Sequence, residues 1–322
     1  LKGIFVAINS DKPMHWKKDI ASSVDLYNRW FLEFAPRTFR TERSKATEKV
    51  LDLFQKTGNL LSINSDILRN NPEIVTALRM ATCPPIARDR LVGLSGVEKS
   101  LISTFESNNL PSRMNEKILS LRLKSIIDTI STLLDVDLFP WISSKSKPSS
   151  EELNRSAMVV ADRLCGANSD PIIRNAQEAR QLSKLSDFLV KNGYSKYSGE
   201  ILKDIRQMPA HTFGIRMNVV GVSKGYEVNI PVDMIIQPGK PFSSHLPLLI
   251  EAKSAGDFTN VNKRRKEEAQ KYAQLKAKQG DIIQYILFLC GYFDTGYLGY
   301  EAAEGIDWVW EHRIEDLAKA LK

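Results

Sequence analysis

Hydrophobic positions along the chain fall into two textures. Over roughly the first 165 residues they recur at helical spacing. Leu26, Tyr27, Trp30, Phe31 and Phe34 form one stripe, Val50, Leu51 and Phe54 another, and Ile118, Leu119, Ile126, Ile127, Ile130 and Leu134 a third. Ser149 followed three residues later by Glu152 has the spacing of a capping box and predicts a helix start. Cys83-Pro84-Pro85 breaks the pattern ahead of Arg88-Asp89-Arg90. Residues 142–150, rich in Ser, Lys and Pro, are the best linker candidate. The expected organisation is a mostly helical region over 1–150 and a second domain over 151–322.

From about residue 170 the period changes. Ala176, Ala179, Leu182, Leu185 and Leu189 give a helix over 172–190. Two strand-like segments follow, about 212–222 and 226–236, joined near Ser223-Lys224-Gly225 as a hairpin. A Pro/Gly/Ser loop over 238–244 leads to a third strand, Leu246 to Lys253. A highly charged helix over about 260–278, a buried strand from Ile282 to Cys290 and a last helix over about 313–321 complete the chain. Trp308 and Trp310 alternate as in a strand and are assigned to the core. The order helix, three strands, helix, strand predicts a mixed α/β layer in which a meander feeds a crossover.

Composition narrows the class without fixing it. The 322 residues, 43% hydrophobic and 26% charged, suit one large or two ordinary globular domains. The formal charge is +7, and residues 1–150 hold most of the excess, with roughly 22 Lys and Arg against 16 Asp and Glu. A basic balance favours polyanionic partners. Cys83, Cys165 and Cys290 are odd in number and far apart, which points to neither a disulfide framework nor a zinc site. The apolar run at 282–290 is too short to span a bilayer, and no secretory leader is recognised, so a cytoplasmic protein is expected. No glycine-rich phosphate loop and no Ser-His-Asp or His/Cys metal arrangement stands out.

The candidate chemistry lies at two strands. Pro231-Val232-Asp233 and Ile250-Glu251-Ala252-Lys253 are each placed near a strand end. Residues two apart in a strand share a face, so Glu251 and Lys253 point the same way, and pairing of the strands brings Asp233 beside them. A strand-end Asp and a Glu-x-Lys are also common on solvated edges. Here Glu251 follows Leu248-Leu249-Ile250, and an unpaired carboxylate emerging from a buried strand is costly. Two carboxylates on one face suit Mg²⁺, which takes oxygen ligands and retains waters. Asp233 and Glu251 are therefore the expected metal ligands, with Lys253 beside them as third catalytic residue. Glu178, on the preceding helix, is a further candidate and reads equally well as a surface glutamate. After Thr259 and Asn260 come Asn262, Lys263, Arg264 and Arg265. Cations in a helix's first turn oppose its dipole by about 0.3–1 kcal/mol each, which a docked phosphate backbone would turn into attraction. Arg88 and Arg90 are weaker candidates for DNA contacts.

Longer runs carry a resemblance. The run from Leu249 through Glu268, Cys290-Gly291-Tyr292-Phe293-Asp294, Gly296 to Gly305, Asp307 to Arg313, Thr82 to Arg90, and Arg174-Asn175-Ala176-Gln177-Glu178 resemble the XamI family of type II restriction endonucleases. The resemblance implies a PD-(D/E)XK nuclease domain over 151–322 preceded by a helical region over 1–150 for DNA recognition or dimerisation, Mg²⁺-dependent cleavage of double-stranded DNA at a short palindrome such as GTCGAC, a homodimer, and functional partnership with a bacterial DNA methyltransferase. By motif position Asp233 matches the first acid, Glu251 the second and Lys253 the lysine. Val232 stands where the superfamily signature has Pro and Asp adjacent; that proline is no ligand. The rival readings are a repair or recombination nuclease of the same core, an RNA-processing nuclease, and a DNA-binding module with a vestigial sheet.

Overall fold

The computed structural model describes residues 7–199, 204–239, 247–259, 261–280 and 283–321, without the side chains of residues 261–264. The chain divides into two compact units, 1–34 with 174–322, and 35–173. Two long helices, α1 (Pro13–Lys56) and α8 (Ser150–Lys191), contribute to both.

Unit 35–173 is helical. Besides its parts of α1 and α8 it holds α2 (Ser65–Asn70), α3 (Val75–Met80), α4 (Arg88–Ser95), α5 (Lys99–Glu106), α6 (Glu116–Leu133) and α7 (Pro140–Ser144). The α6 stripe is buried at Leu119, Leu123, Ile126, Ile127 and Ile130, as its spacing predicts. It packs with Val50, Leu53 and Phe54 of α1 and Val160, Ala161 and Leu164 of α8 into one core. The capping box forms: the Ser149 amide and hydroxyl both donate to Glu152, and the Glu152 amide donates back to Ser149 Oγ at 3.2 Å. One difference concerns α8, which runs through Pro171 as a single helix where the sequence reads two segments. A proline removes one helical hydrogen bond, and the apolar contacts of Val160, Leu164, Leu182 and Leu185 lie on either side of it.

The other unit is built on a six-stranded sheet. Its strands are β1 (Ser195–Lys196), β2 (Thr212–Ser223), β3 (Tyr226–Gln237), β4 (Leu248–Ala255), β5 (Tyr285–Gly291) and β6 (Asp307–Trp310), lying side by side in chain order. The expected hairpin joins β2 to β3 through Lys224 and Gly225, both with positive φ, the conformation of a tight two-residue turn. β2, β3 and β4 are antiparallel neighbours; β4, β5 and β6 are parallel. The crossovers are α9 (Val261–Gln279) and α10 (Thr295–Ala303), as parallel pairing requires. Trp308 and Trp310 are buried in β6. Beyond them the expected last helix is a kinked 3-10 segment over Glu311–Lys319.

Each face of the sheet has its own core. Leu182, Leu185 and Leu189 of α8 pack on Met234, Ile236, Leu248, Ile250, Ile286 and Phe288. On the opposite face Leu275 of α9 and Tyr297 and Leu298 of α10 pack on Ile235, Leu249, Leu287 and Leu289. Both faces being covered explains the unbroken apolar run of β5.

Candidate active site

Alternation along β4 sends Leu249, Glu251 and Lys253 toward α9, and Leu248, Ile250 and Ala252 toward α8. Glu251 is thus held within the sheet, 2% exposed. Behind it Gln181 of α8, fully buried, donates to the Phe288 carbonyl at 3.1 Å and reaches the Lys253 carbonyl at 3.4 Å.

Asp233 reaches the same place by a local irregularity. β2 and β3 keep one register along their length but skip the pair Arg216 and Asp233. Arg216 has a left-handed backbone, φ 52°, which breaks strand alternation. Ile215, Met234 and Ile236 face the α8 core, whereas Met217, Val219, Ile230 and Val232 face the α9 core. Alternate faces therefore exchange at this point. β3 and β4 separate here too, their last pair being Met234 with Ile250. One step further, Asp233 Oδ2 accepts from the Ala252 amide at 2.9 Å, a side chain taking the place of a ladder partner.

The electrostatics follow from this crowding. Burial, and then the charge of Asp233, push the Glu251 carboxyl up to about 7, against the pull of Lys271 and Lys253. Lys253 Nζ lies 2.7 Å from Glu268 Oε1 and 3.4 Å from Glu251 Oε2. Burial alone would lower the Lys253 ammonium, but the charges of Glu268 and Glu251 outweigh it and raise it above its ordinary value. Lys271 pairs with Glu251 Oε1. The Tyr285 hydroxyl, at the head of β5, donates to Glu268 Oε2 at 2.9 Å. Behind Glu268, the wholly buried Glu301 of α10 is pushed up to about 8 by burial and by the Glu268 charge.

The structure thus brings Asp233, Glu251 and Lys253 close together on adjacent strands, Glu251 and Lys253 on one face and Asp233 against the Ala252 amide between them. Asp233 and Glu251 do not sit at strand ends: four residues of β3 follow the first and four of β4 the second. Glu178 stands apart from the three and pairs with Arg216 at 2.7 Å, the residue across from Asp233 in register. Arg265 is half-buried with its guanidinium 3.8 Å from the centre of the exposed Tyr300 ring. Thr259 is exposed and donates its amide to Asp257 Oδ1 at 2.8 Å. Asn260, and the side chains of Asn262, Lys263 and Arg264, lie outside the described residues. Arg88 and Arg90 belong to the helical unit, where both are exposed and Arg88 pairs with Glu106.

Four site residues escape the sequence reading: Glu268, Lys271, Tyr285 and Arg216. Glu268 had a signal. It falls in phase with Tyr272 and Leu275 on the inward stripe of α9, a place where a carboxylate needs a reason.

Among the described residues no group of three or more His, Cys, Asp or Glu side chains is gathered for a metal. Asp233 and Glu251 nevertheless bring two carboxylates close together. Asp233 raises Glu251, and a lysine ammonium rests on Glu251 Oε1 as a stand-in cation. That donor set fits a hard divalent ion that keeps several waters.

The type II restriction enzyme SalI of Streptomyces albus G is 52% identical over 313 residues, 97% of this chain and 99% of that enzyme. Among solved structures, protein VC1899 from Vibrio cholerae is matched over 86% of this chain and 55% of its own, at 10% identity and a TM-score of 0.26, too low to bear on the fold. The pattern of the XamI restriction endonuclease family matches residues 58–310. The chain belongs to the XamI restriction endonuclease family, and its activity is that of a type II site-specific deoxyribonuclease.

Proposed function

We propose that Asp233, Glu251 and Lys253 are the catalytic centre of this endonuclease, set in a PD-(D/E)XK-type core. The observation that carries the reading is the meeting of two carboxylates and an ammonium on adjacent strands at the one point where the β2–β3 ladder is broken. Asp233 and Glu251 would hold Mg²⁺. When bound, the ion lowers the pKa of a coordinated water and offsets charge on the scissile phosphate. Lys253, ion-paired to Glu268 and close to Glu251, is placed to hold the attacking water. It donates hydrogen bonds to a phosphate oxygen and to the attacking water, stabilising charge as it develops. Glu178, paired with Arg216, would serve as an outer acid of the site and orient water there.

The substrate is duplex DNA at a short palindrome, and GTCGAC is the target proposed. Arg265, Thr259, Asn260, Asn262, Lys263 and Arg264 take the phosphate backbone next to the site; Arg88 and Arg90 are further contacts. A palindrome is read by a two-fold protein, so the working form is a homodimer. A methyltransferase of the same specificity would protect the DNA of the bacterial cytoplasm in which the enzyme acts.

Plasmid of known sequence tests this. Wild-type protein with Mg²⁺ gives discrete fragments ending within GTCGAC. Lys253→Ala and Asp233→Ala each slow cleavage by at least ~10³-fold, the scale of losing a transition-state charge contact, while cognate DNA is still bound. A smear would mean a nuclease without site specificity, and cutting of RNA alone an RNA-processing enzyme. Normal rates in both variants would overturn the site.

A further inference from the structure

We propose that Glu268 is a positioning residue for Lys253: it fixes the ammonium away from Glu251 Oε2, the oxygen that Lys271 does not hold, and so leaves that oxygen open to the metal. The proposal rests on the catalytic reading of Asp233, Glu251 and Lys253.

The geometry is that of a clamp. Lys253 has two carboxylates within reach, but the contact with Glu268 is a short charge-assisted hydrogen bond at 2.7 Å, and that with Glu251 is slack at 3.4 Å. Glu268 does not wander toward the metal-binding acids, because its other oxygen accepts from Tyr285 at 2.9 Å. Both Glu268 and Tyr285 are buried, and they sit on separate elements, α9 and β5. A charged carboxylate at 2% exposure is expensive unless each oxygen is satisfied, and here each is. A sequence under pressure for stability alone would place an apolar side chain at this inward position of α9. Without the Glu268 charge, the Lys253 ammonium has Glu251 as its remaining anionic contact and closes on it. Lys253 then occupies Oε2, the oxygen of Glu251 that Lys271 leaves to the metal.

If Glu268 acts through Lys253, its loss costs nothing once Lys253 is gone. A double-mutant cycle reads this. Single-turnover cleavage of a GTCGAC duplex at saturating enzyme is measured for Glu268→Gln, Lys253→Ala and the double variant. Cognate-DNA affinity without divalent metal and thermal midpoints are recorded alongside. Glu268→Gln is expected to slow cleavage about 100-fold, within the range of a positioned acid–base group, with DNA affinity within about threefold. The double variant is expected to match Lys253→Ala alone. Mn²⁺ affinity of the DNA-free protein, by calorimetry, is expected to fall roughly tenfold in Glu268→Gln and to recover when Lys253→Ala is added.

Because Glu268→Gln leaves a buried amide, Tyr285→Phe provides a milder probe. It keeps the Glu268 charge but frees it, and is expected to slow cleavage about 3–10-fold, the cost of one hydrogen bond. Wild-type cleavage by both Glu268→Gln and Tyr285→Phe would overturn the proposal. So would equal losses from Glu268→Gln with and without Lys253, the mark of a structural role. If Lys253→Ala itself cuts normally, the catalytic reading falls first.

Discussion

Among single residues, Glu301 has the clearest pH signature. Its carboxyl is wholly buried on α10, and burial and the nearby Glu268 charge hold it near 8 against an ordinary 4.5. Between those values the folded protein keeps a proton that the unfolded chain has released. Stability therefore falls as pH rises from about 4.5 to 8, with the full loss present above 8. Glu301→Gln carries no such proton. It is expected to be more stable than wild type at pH 8.5, on the order of 3 kcal/mol, with the gain shrinking toward pH 4.5. Glu251, raised to about 7, gives the same sign over a narrower window and keeps part of the slope in the variant. Urea unfolding at pH 5, 7 and 8.5 checks this; a gain independent of pH would contradict it. Glu251 and Lys253 are legible in sequence because strand period places them on one face; Asp233 is legible as a carboxylate on the neighbouring strand, though its exact placement depends on the break at Arg216. Glu268 and Lys271 hide among the charges of α9, where the inward phase shows only through Tyr272 and Leu275. Arg216 is invisible to any periodic reading, since its backbone leaves the strand conformation that such readings assume.

At the scale of elements, the site depends on how closely α9 crosses β2. Gly221 makes the approach possible. A methyl at that position would lie 3.0 Å from the Gln274 carbonyl oxygen of α9 and 2.3 Å from Ile230 Cδ1. Gln279 ties the end of the helix to the same strand, donating to the Val220 carbonyl at 2.9 Å. The isoleucine tip can rotate away; the helix backbone cannot. Gly221→Val should therefore lift α9, costing about 1–3 kcal/mol through overpacking. Glu268 and Lys271 would move with the helix, and single-turnover cleavage should drop more than about tenfold at temperatures where the variant remains folded. Circular dichroism melting and a cleavage time course test the two parts together, and an unchanged rate would separate α9 from catalysis. The meander, the crossover and the two tryptophans of β6 are foreseeable from sequence, because alternation and turn residues are local. Two-residue β1 and the short α10 are not: one has no pattern to show, and the other buries Glu301 and Tyr297 in place of a simple apolar stripe.

For the whole molecule the question is how many chains make a double-strand cut. Each chain carries one Asp233–Glu251–Lys253 set, while the two strands of a palindrome present two scissile phosphates related by a two-fold axis. A protein with matching symmetry puts one set on each strand without moving between cuts. In a mixed dimer of wild type and Lys253→Ala, one set is intact and one is dead. Such a dimer should cut one strand, so supercoiled plasmid with a single GTCGAC would pass to the open circle and stay there. Co-expressing the two chains with different affinity tags and purifying through both isolates the mixed form. An enzyme that acts as a monomer, turning round to cut the second strand, would not survive the double purification. A mixed dimer whose intact centre serves both strands would carry plasmid on to the linear form. The salt used matters to this test, because the basic balance of the chain, +7 overall, makes binding fall steeply as phosphate counterions are restored. Nicking without linearisation at low salt, with the wild-type dimer linearising the same plasmid in parallel, is the result a two-fold enzyme must give.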